Sequence, residues 1–233
     1  MAGYDGDPLS HIELLASVPK PERMALAKQC QWRDYAAKQT VFDKQSENTD
    51  VMFVVSGRLN VTGYSLAGKE ISFAEIGEGD FFGEVSAVDG ESRSASVTAI
   101  SDCRLASLTA PLFRALLERH PKVAATVMRR MSGIIRRSTE RLMDFKTLNA
   151  HQRVCAEVLR IAVPSAAVAG HWEIYPMPTQ AVIASRVGAS RETVARVLGD
   201  LARGGLIARK GRTLTILERD TLDRLTERLE DDA

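Results

Sequence analysis

The sequence predicts an α+β chain in three parts: an antiparallel domain of short strands, one long helix, and a helix-turn-helix followed by a hairpin wing. Three observations carry this. Short β-rich runs recur between Val41 and Leu108, at the spacing of about 8–12 residues that marks a sandwich or barrel. From Pro111 the apolar period becomes helical. Towards the C-terminus two helical runs are parted by Gly188-Ala189 and followed by two strand-like runs around Gly211.

The elements follow in order. The first ten residues are polar and read as frayed. Ile12 to Leu15 and Pro21 to Cys30 read as short helices around Pro19-Lys20. Val41-Phe42, Val51 to Val55, Leu59 to Thr62 and Ile71 to Ile76 read as strands, with a turn at Leu66 to Lys69. Ala95 to Ala99 and Cys103 to Leu108 are two more. Pro111 to His120 is a short helix with Pro in its first turn. Pro121 opens a longer helix that runs to about Asn149. Asn149-Ala150-His151 interrupts it weakly, Val154 to Ala162 resumes it, and Pro164 to Trp172 is a loop. Thr179 caps a helix with Ala181, Val182, Ala184 and Val187 on its apolar side, and Ser190 caps a second, Arg191 to Ala202. Leu206 to Ala208 and Leu214 to Ile216 form the wing, and after Glu218 a short charged helix leads to an acidic tail. The expected boundaries are 1–120, 121–149 and 150–233.

Composition narrows the classes. The chain has 233 residues, enough for one large domain or two small ones. Its net charge of +1 supplies no global field for nucleic acid or membrane. Cys30, Cys103 and Cys155 are scattered and odd in number, so they read as free thiols in a reducing cytoplasm. No apolar run resembles a signal peptide or a membrane span. His151 and His171 cluster with no other ligand type, so no metal is expected.

The candidate binding stretch runs from Phe82 to Val97. Glu78-Gly79-Asp80 and Gly83 form a turn whose glycines let backbone N–H groups approach a ligand. Glu84, Val85 and the residues up to Val88 allow one helical turn whose first amides suit an anion. Arg93 offers a planar charged fork for a phosphate, and Ser94 a hydroxyl beside it. A carboxylate repels phosphate, so Glu84 fits only another part of the ligand, such as a sugar hydroxyl. Together they suggest a phosphorylated sugar. The plainer alternative is an ordinary turn with a weak surface ion pair between Glu84 and Arg93. Neither a metal cluster nor an activated nucleophile accompanies the stretch, so no catalytic residue is expected.

On the long helix Val127, Met131, Ile134, Ser138, Leu142 and Phe145 form a stripe with steps of 4, 3, 4, 4 and 3. That rhythm suits pairing with a second copy; packing on the chain's own β domain is the alternative. Ser138 falls where the stripe should be apolar, with Thr139 beside it. Its partner is open between its symmetry mate, a ligand base and the preceding helical turn. From Thr179 to Arg212 seven bases face two acids. Arg191, Glu192 and Arg196 project from the start of the second helix of the pair, where base edges are read. Lys210 and Arg212 at the wing tip suit a phosphate backbone.

Gly83-Glu84, a gap of eight, then Arg93-Ser94-Ala95 resembles the phosphate-binding cassette of cyclic-nucleotide-binding domains. With Ser190-Arg191-Glu192-Thr193-Val194-x-Arg196, the chain resembles the cyclic AMP receptor protein and fumarate–nitrate regulator family of bacterial transcription factors over nearly its whole length. The resemblance implies a jelly-roll-like cyclic-nucleotide-binding β-roll, a dimerisation helix and a winged helix-turn-helix. It implies a homodimer that binds a palindromic site in double-stranded DNA, with RNA polymerase as a further partner. Gly83, Glu84, Val85, Arg93 and Ser94 would hold the sugar and cyclic phosphate, and Ser138 and Thr139 the base. Thr179, Ser190, Thr193 and Lys210 would contact DNA phosphates, and Arg191, Glu192 and Arg196 the bases. Cyclic AMP is favoured because Ser138 and Thr139 offer hydroxyls to an exocyclic amino group; hydroxyls both donate and accept, so cyclic GMP stays open. Only Cys30 precedes the cassette and no axial ligands stand out, so an iron–sulfur cluster and haem are disfavoured. The segment from Ser165 to Trp172, where the family meets RNA polymerase, shows no resemblance.

Overall fold

The computed structural model describes residues 6–64, 70–165 and 168–226. The expected turn at 66–69 and the acidic tail from 227 lie outside the described residues. The chain divides into two compact units that meet at Ile135 and Arg136.

In the first unit a 3-10 turn (Glu13–Leu15) and α1 (Lys20–Gln29) precede β1 (Gln31–Tyr35), β2 (Thr40–Phe42), β3 (Val51–Ser56), β4 (Arg58–Tyr64), β5 (Glu70–Gly77) and β6 (Phe81–Phe82). Next come α2 (Glu84–Asp89), β7 (Ser96–Ala99), β8 (Cys103–Leu108), α3 (Ala110–Arg119) and the start of α4 (Pro121–Thr147). The strands form two antiparallel four-stranded sheets, ordered β1-β8-β3-β6 and β2-β7-β4-β5. Val54, Leu59, Ile76, Phe82, Val97 and Leu105 fill one core cluster. Phe53, Phe113, Leu116, Val123 and Val127 belong to another, built from helices and the first sheet.

Strand β3 is buried throughout Val51 to Val55. Its alternate residues enter different clusters: Val51, Phe53 and Val55 one, Met52 and Val54 the other. A strand covered on both faces carries an unbroken apolar run. Strand β1 escapes sequence reading for the opposite reason. It is an edge strand, mostly exposed, and only Trp32 and Tyr35 reach a core.

For residues 6–10 the structure corrects the expectation of fraying, while residues 1–5 lie outside the described residues. Asp7 and Leu9 are buried, and Arg23 Nη2 lies 2.7 Å from Asp7 Oδ2. Arg23 also donates to the Val18 carbonyl at 2.8 Å, so the segment is tied to α1. The stripe on α4 divides as well. Val127 is buried and Met131 half-buried in the first unit's core, whereas Ile134 and Leu142 are exposed.

The second unit holds the end of α4, then α5 (Ala150–Ile161), β9 (Val163–Pro164), β10 (Trp172–Ile174), α6 (Gln180–Val187), α7 (Arg191–Arg203), β11 (Ile207–Lys210), β12 (Thr213–Ile216) and α8 (Arg219–Arg224). The break before α5 is sharp, not weak. Asn149 Oδ1 accepts from the Gln152 amide and Gln152 Oε1 from the Asn149 amide, both at 3.0 Å. This reciprocal cap starts the helix at Ala150. Part of the expected loop from Pro164 to Trp172 is strand. β9 pairs with β10, extending the wing to a sheet ordered β11-β12-β10-β9.

Candidate functional site

Arg93 is the centre of the cassette, and it is 2% exposed. Its Nη1 donates to the Gly83 carbonyl at 3.2 Å, and its Nη2 to Asn48 Oδ1 at 2.7 Å and the Asp50 carbonyl at 2.6 Å. The guanidinium stacks on the Phe42 ring, 4.1 Å from its centre. Nε is buried without a hydrogen-bond partner. All three acceptors are uncharged, and among the described residues no carboxylate lies within ion-pair distance of Arg93. Desolvation lowers its pKa, with partial compensation from the charges of Asp50 and Glu84. A buried cation with neutral partners only is costly. An anion bound at Nε would remove much of that cost.

Gly83 makes this arrangement possible. Its φ is +88°, and a Cβ there would lie 2.6 Å from Arg93 Nη1 and 2.8 Å from the Asp50 carbonyl. The turn therefore needs glycine twice over, for its dihedral and for the closeness of the guanidinium. Glu84, the first residue of α2, is 4% exposed and pairs with Arg130 on α4, not with Arg93. Arg130 Nε is 3.3 Å from Glu84 Oε1 without hydrogen-bond alignment, while its Nη1 donates to Asp80 Oδ1 at 2.5 Å. The surface ion pair between Glu84 and Arg93 is thus not formed. Val85 is half-buried and Ser94 exposed. Ser138 and Thr139 are exposed on the part of α4 that belongs to the second unit.

In the second unit the helix pair forms as expected. Thr179 Oγ1 accepts from the Val182 amide at 3.3 Å, and Ser190 Oγ from the Thr193 amide at 3.1 Å. The Ser190 and Thr193 hydroxyls also meet each other at 3.1 Å, so one of those two protons is already engaged. Gly188 ends α6 with φ +60°, where a Cβ would strike Phe145 Cε1 at 2.6 Å. Phe145 is therefore seated against the turn, although 48% exposed. Val194, Val197 and Leu201 bury one side of α7, and Arg191, Glu192 and Arg196 are exposed on another. The Glu192 carboxyl is held below its ordinary pKa by its own backbone N–H, then by the Ser190 hydroxyl and Arg191. It stays an acceptor. Lys210 and Arg212 are exposed where β11 turns into β12.

Residues 32–120 match the cyclic nucleotide-binding domain, and residues 152–225 the Crp-like helix-turn-helix domain. The chain belongs to the cyclic AMP receptor protein and fumarate–nitrate regulator family. It is 29% identical over 201 residues to the CRP-like cAMP-activated global transcriptional regulator of Mycobacterium tuberculosis, covering 86% of this chain and 90% of that one. The Thermus thermophilus catabolite activator protein is similar at 26% identity and a TM-score of 0.52, over 91% of this chain and 97% of that one. A CooA mutant from Carboxydothermus hydrogenoformans shares the fold at 18% identity and a TM-score of 0.77, over 93% and 95%.

This family member carries a buried charge cluster that sequence reading missed. Glu157 on α5 is fully buried. Its carboxylate meets Arg160 Nη1 at 2.7 Å, Arg141 Nη2 at 3.2 Å and Arg186 Nη1 at 3.6 Å. Arg160 also pairs with Asp144 and, at 3.6 Å, with Glu140. Desolvation lowers the Arg160 pKa, but its bonds to Glu157 and Asp144 outweigh that and leave it raised. Arg186 therefore drops out of the basic surface on which it was counted, and the buried face of α6 is Ile183, Ala184, Arg186 and Val187. Arg203 pairs with Asp200. The exposed bases left are Arg191, Arg196, Arg209, Lys210 and Arg212.

Proposed function

We propose that this chain is a sequence-specific DNA-binding transcriptional regulator, switched by a cyclic nucleotide and acting as a homodimer on a palindromic site. The observation that carries the ligand reading is the buried Arg93 cation, which has neutral acceptors, an unpaired Nε and, among the described residues, no carboxylate within ion-pair distance. Gly83, Glu84, Val85, Arg93 and Ser94 are assigned to the sugar phosphate, and Ser138 and Thr139 to the base. Cyclic AMP is the first candidate, because the M. tuberculosis relative is cAMP-activated. Cyclic GMP is the second, since a hydroxyl serves either purine.

Exposed Arg191, Glu192 and Arg196 at the start of α7 support base reading. The hydroxyls of Thr179, Ser190 and Thr193 at the starts of α6 and α7, with exposed Lys210, support phosphate contact. Exposed Ile134, Ile135, Leu142 and Met143 on α4 support pairing of two copies. The three parts then serve as sensor (1–120), dimer helix (121–149) and DNA reader (150–233). Ligand would bias a two-state equilibrium towards recognition helices about 34 Å apart. RNA polymerase is the further partner by analogy with the family.

Calorimetric titration with cyclic AMP and cyclic GMP, followed by operator shift assays with each, tests the reading. Arg93→Leu is expected to lose at least ~10-fold in nucleotide affinity, the loss of one charged contact, and all nucleotide-dependent DNA binding. Undiminished nucleotide affinity in that variant overturns the assignment. Tight operator binding without nucleotide would favour a regulator of the same fold with another effector or none.

A further inference from the structure

We propose that Asn48 sets the nucleotide affinity of this chain by competing for the half of the Arg93 fork that the phosphate must take. The inference rests on the cyclic-nucleotide reading and adds a residue that the cassette motif does not contain. A phosphate bound side-on to arginine uses Nε–H together with one Nη2–H. In this structure Nε is free, but Nη2 already serves two acceptors, Asn48 Oδ1 at 2.7 Å and the Asp50 carbonyl at 2.6 Å. Since Nη2 has two hydrogens, one acceptor must leave before a second phosphate oxygen can be bound.

The two acceptors differ in freedom. The Asp50 carbonyl is backbone at the entrance to β3, and the Asp50 side chain is fixed by Ser107 Oγ at 2.9 Å. Asn48 is exposed and contacts Arg93 through a side chain. Its oxygen also accepts from the Asp50 amide at 3.0 Å, so it retains a partner after letting Arg93 go. The loop itself need not move. Gln45 and Ser46 are joined to the Arg93 backbone, Gln45 N to Arg93 O at 3.0 Å and Arg93 N to Ser46 O at 3.2 Å. Stacking on Phe42 keeps the guanidinium plane in place. A small swing of one side chain, with Oδ1 still on the Asp50 amide, is therefore the local change that opens the fork.

Opposite substitutions separate this competition from a supporting role. Asn48→Ala removes the competitor and is expected to tighten cyclic-nucleotide binding about three- to tenfold, the worth of one such hydrogen bond. Asn48→Asp keeps the turn and places a carboxylate on Nη2, which pairs with Arg93 and repels phosphate. It is expected to weaken binding at least ~10-fold. If Asn48 only holds Arg93 in position, Asn48→Ala weakens binding instead. Calorimetry with cyclic AMP and cyclic GMP on the wild-type chain and both variants, with thermal melts to confirm folding, reads the outcome. Wild-type binding with Asn48→Ala tighter and Asn48→Asp weaker supports the proposal. Wild-type binding with Asn48→Ala unchanged or weaker overturns it and leaves the function standing. Should Asn48→Ala fail to fold, an Asn48→Asp affinity equal to wild type overturns it alone. No binding by any of the three chains overturns the cyclic-nucleotide reading, and this inference with it.

Discussion

Replacing Glu157 with alanine should unfold the second unit far more readily than any surface substitution. The carboxylate is fully buried and faces three guanidinium groups, of which Arg186 and Arg160 are 6% and 15% exposed at the side chain. Arginine keeps its proton in proteins, so none of the three guanidinium groups escapes the penalty by becoming neutral. Removing one member of a buried pair typically costs about 3–5 kcal/mol. That is about 30–50% of the ~10 kcal/mol that stabilises a typical domain. For a unit of this size, about 3 kcal/mol lowers the melting temperature by roughly 12 °C or more. Trp172 packs on this unit's core and Trp32 on that of the first, so fluorescence in a Trp32→Phe background reports on the right unit. Urea unfolding with that probe gives the loss directly. Glu157→Met with Arg186→Met, which exchanges both charges for apolar groups, should recover at least ~1 kcal/mol relative to Glu157→Met alone. A Glu157→Ala loss under ~1 kcal/mol, the range of an exposed ion pair, would refute the reasoning.

Two further outcomes follow from other parts of the chain. Gly83→Ala combines a left-handed dihedral with a Cβ 2.6 Å from Arg93 Nη1, whereas Gly90→Ala has φ +78° and nothing within 4 Å. Both should lose about 1–3 kcal/mol of stability from backbone strain, but only Gly83→Ala should also lose nucleotide affinity; equal affinity losses would sink the crowding account. Burial pushes the Cys155 thiol from 9.0 up to about 11, its backbone hydrogen bond opposing in part. The folded state then binds the proton more tightly than the unfolded one, so stability is full below pH ~9 and falls as pH rises towards ~11, by at most ~1.4 kcal/mol per unit. Cys155→Ala should flatten that part of the Trp172 unfolding profile, and an unchanged slope would contradict the assignment.

What was legible in the sequence follows from the range of the forces involved. Apolar period is local, so β3, β8, α4 and the helix pair around Gly188 stand out within a dozen residues of chain. Caps are local too: Thr179 and Ser190 are legible as caps, and Asn149 with Gln152 three residues on is an equally plain signal. Strand β1 was hidden by its polar edge, and β9 and β10 by lengths of two and three residues. Partners of buried charges are the hard case, because Glu157 and Arg186 lie far apart in the chain and meet only through the fold. Phase offers a partial remedy. Arg130 follows Val123 and Val127 by steps that keep it on the buried side of α4, Arg186 sits between Ile183 and Val187, and Glu157 sits between Val154 and Val158. A charge in phase with a buried stripe cannot be solvated there, so it demands an opposite charge in phase on another element. In α5 and α6 that condition is met by Glu157 and Arg186, 3.6 Å apart, with Arg160 and Arg141 nearer still. It leaves Arg93 as the exception, a buried cation with no ion-pair partner among the described residues, and that is the strongest single reason to expect an anionic ligand.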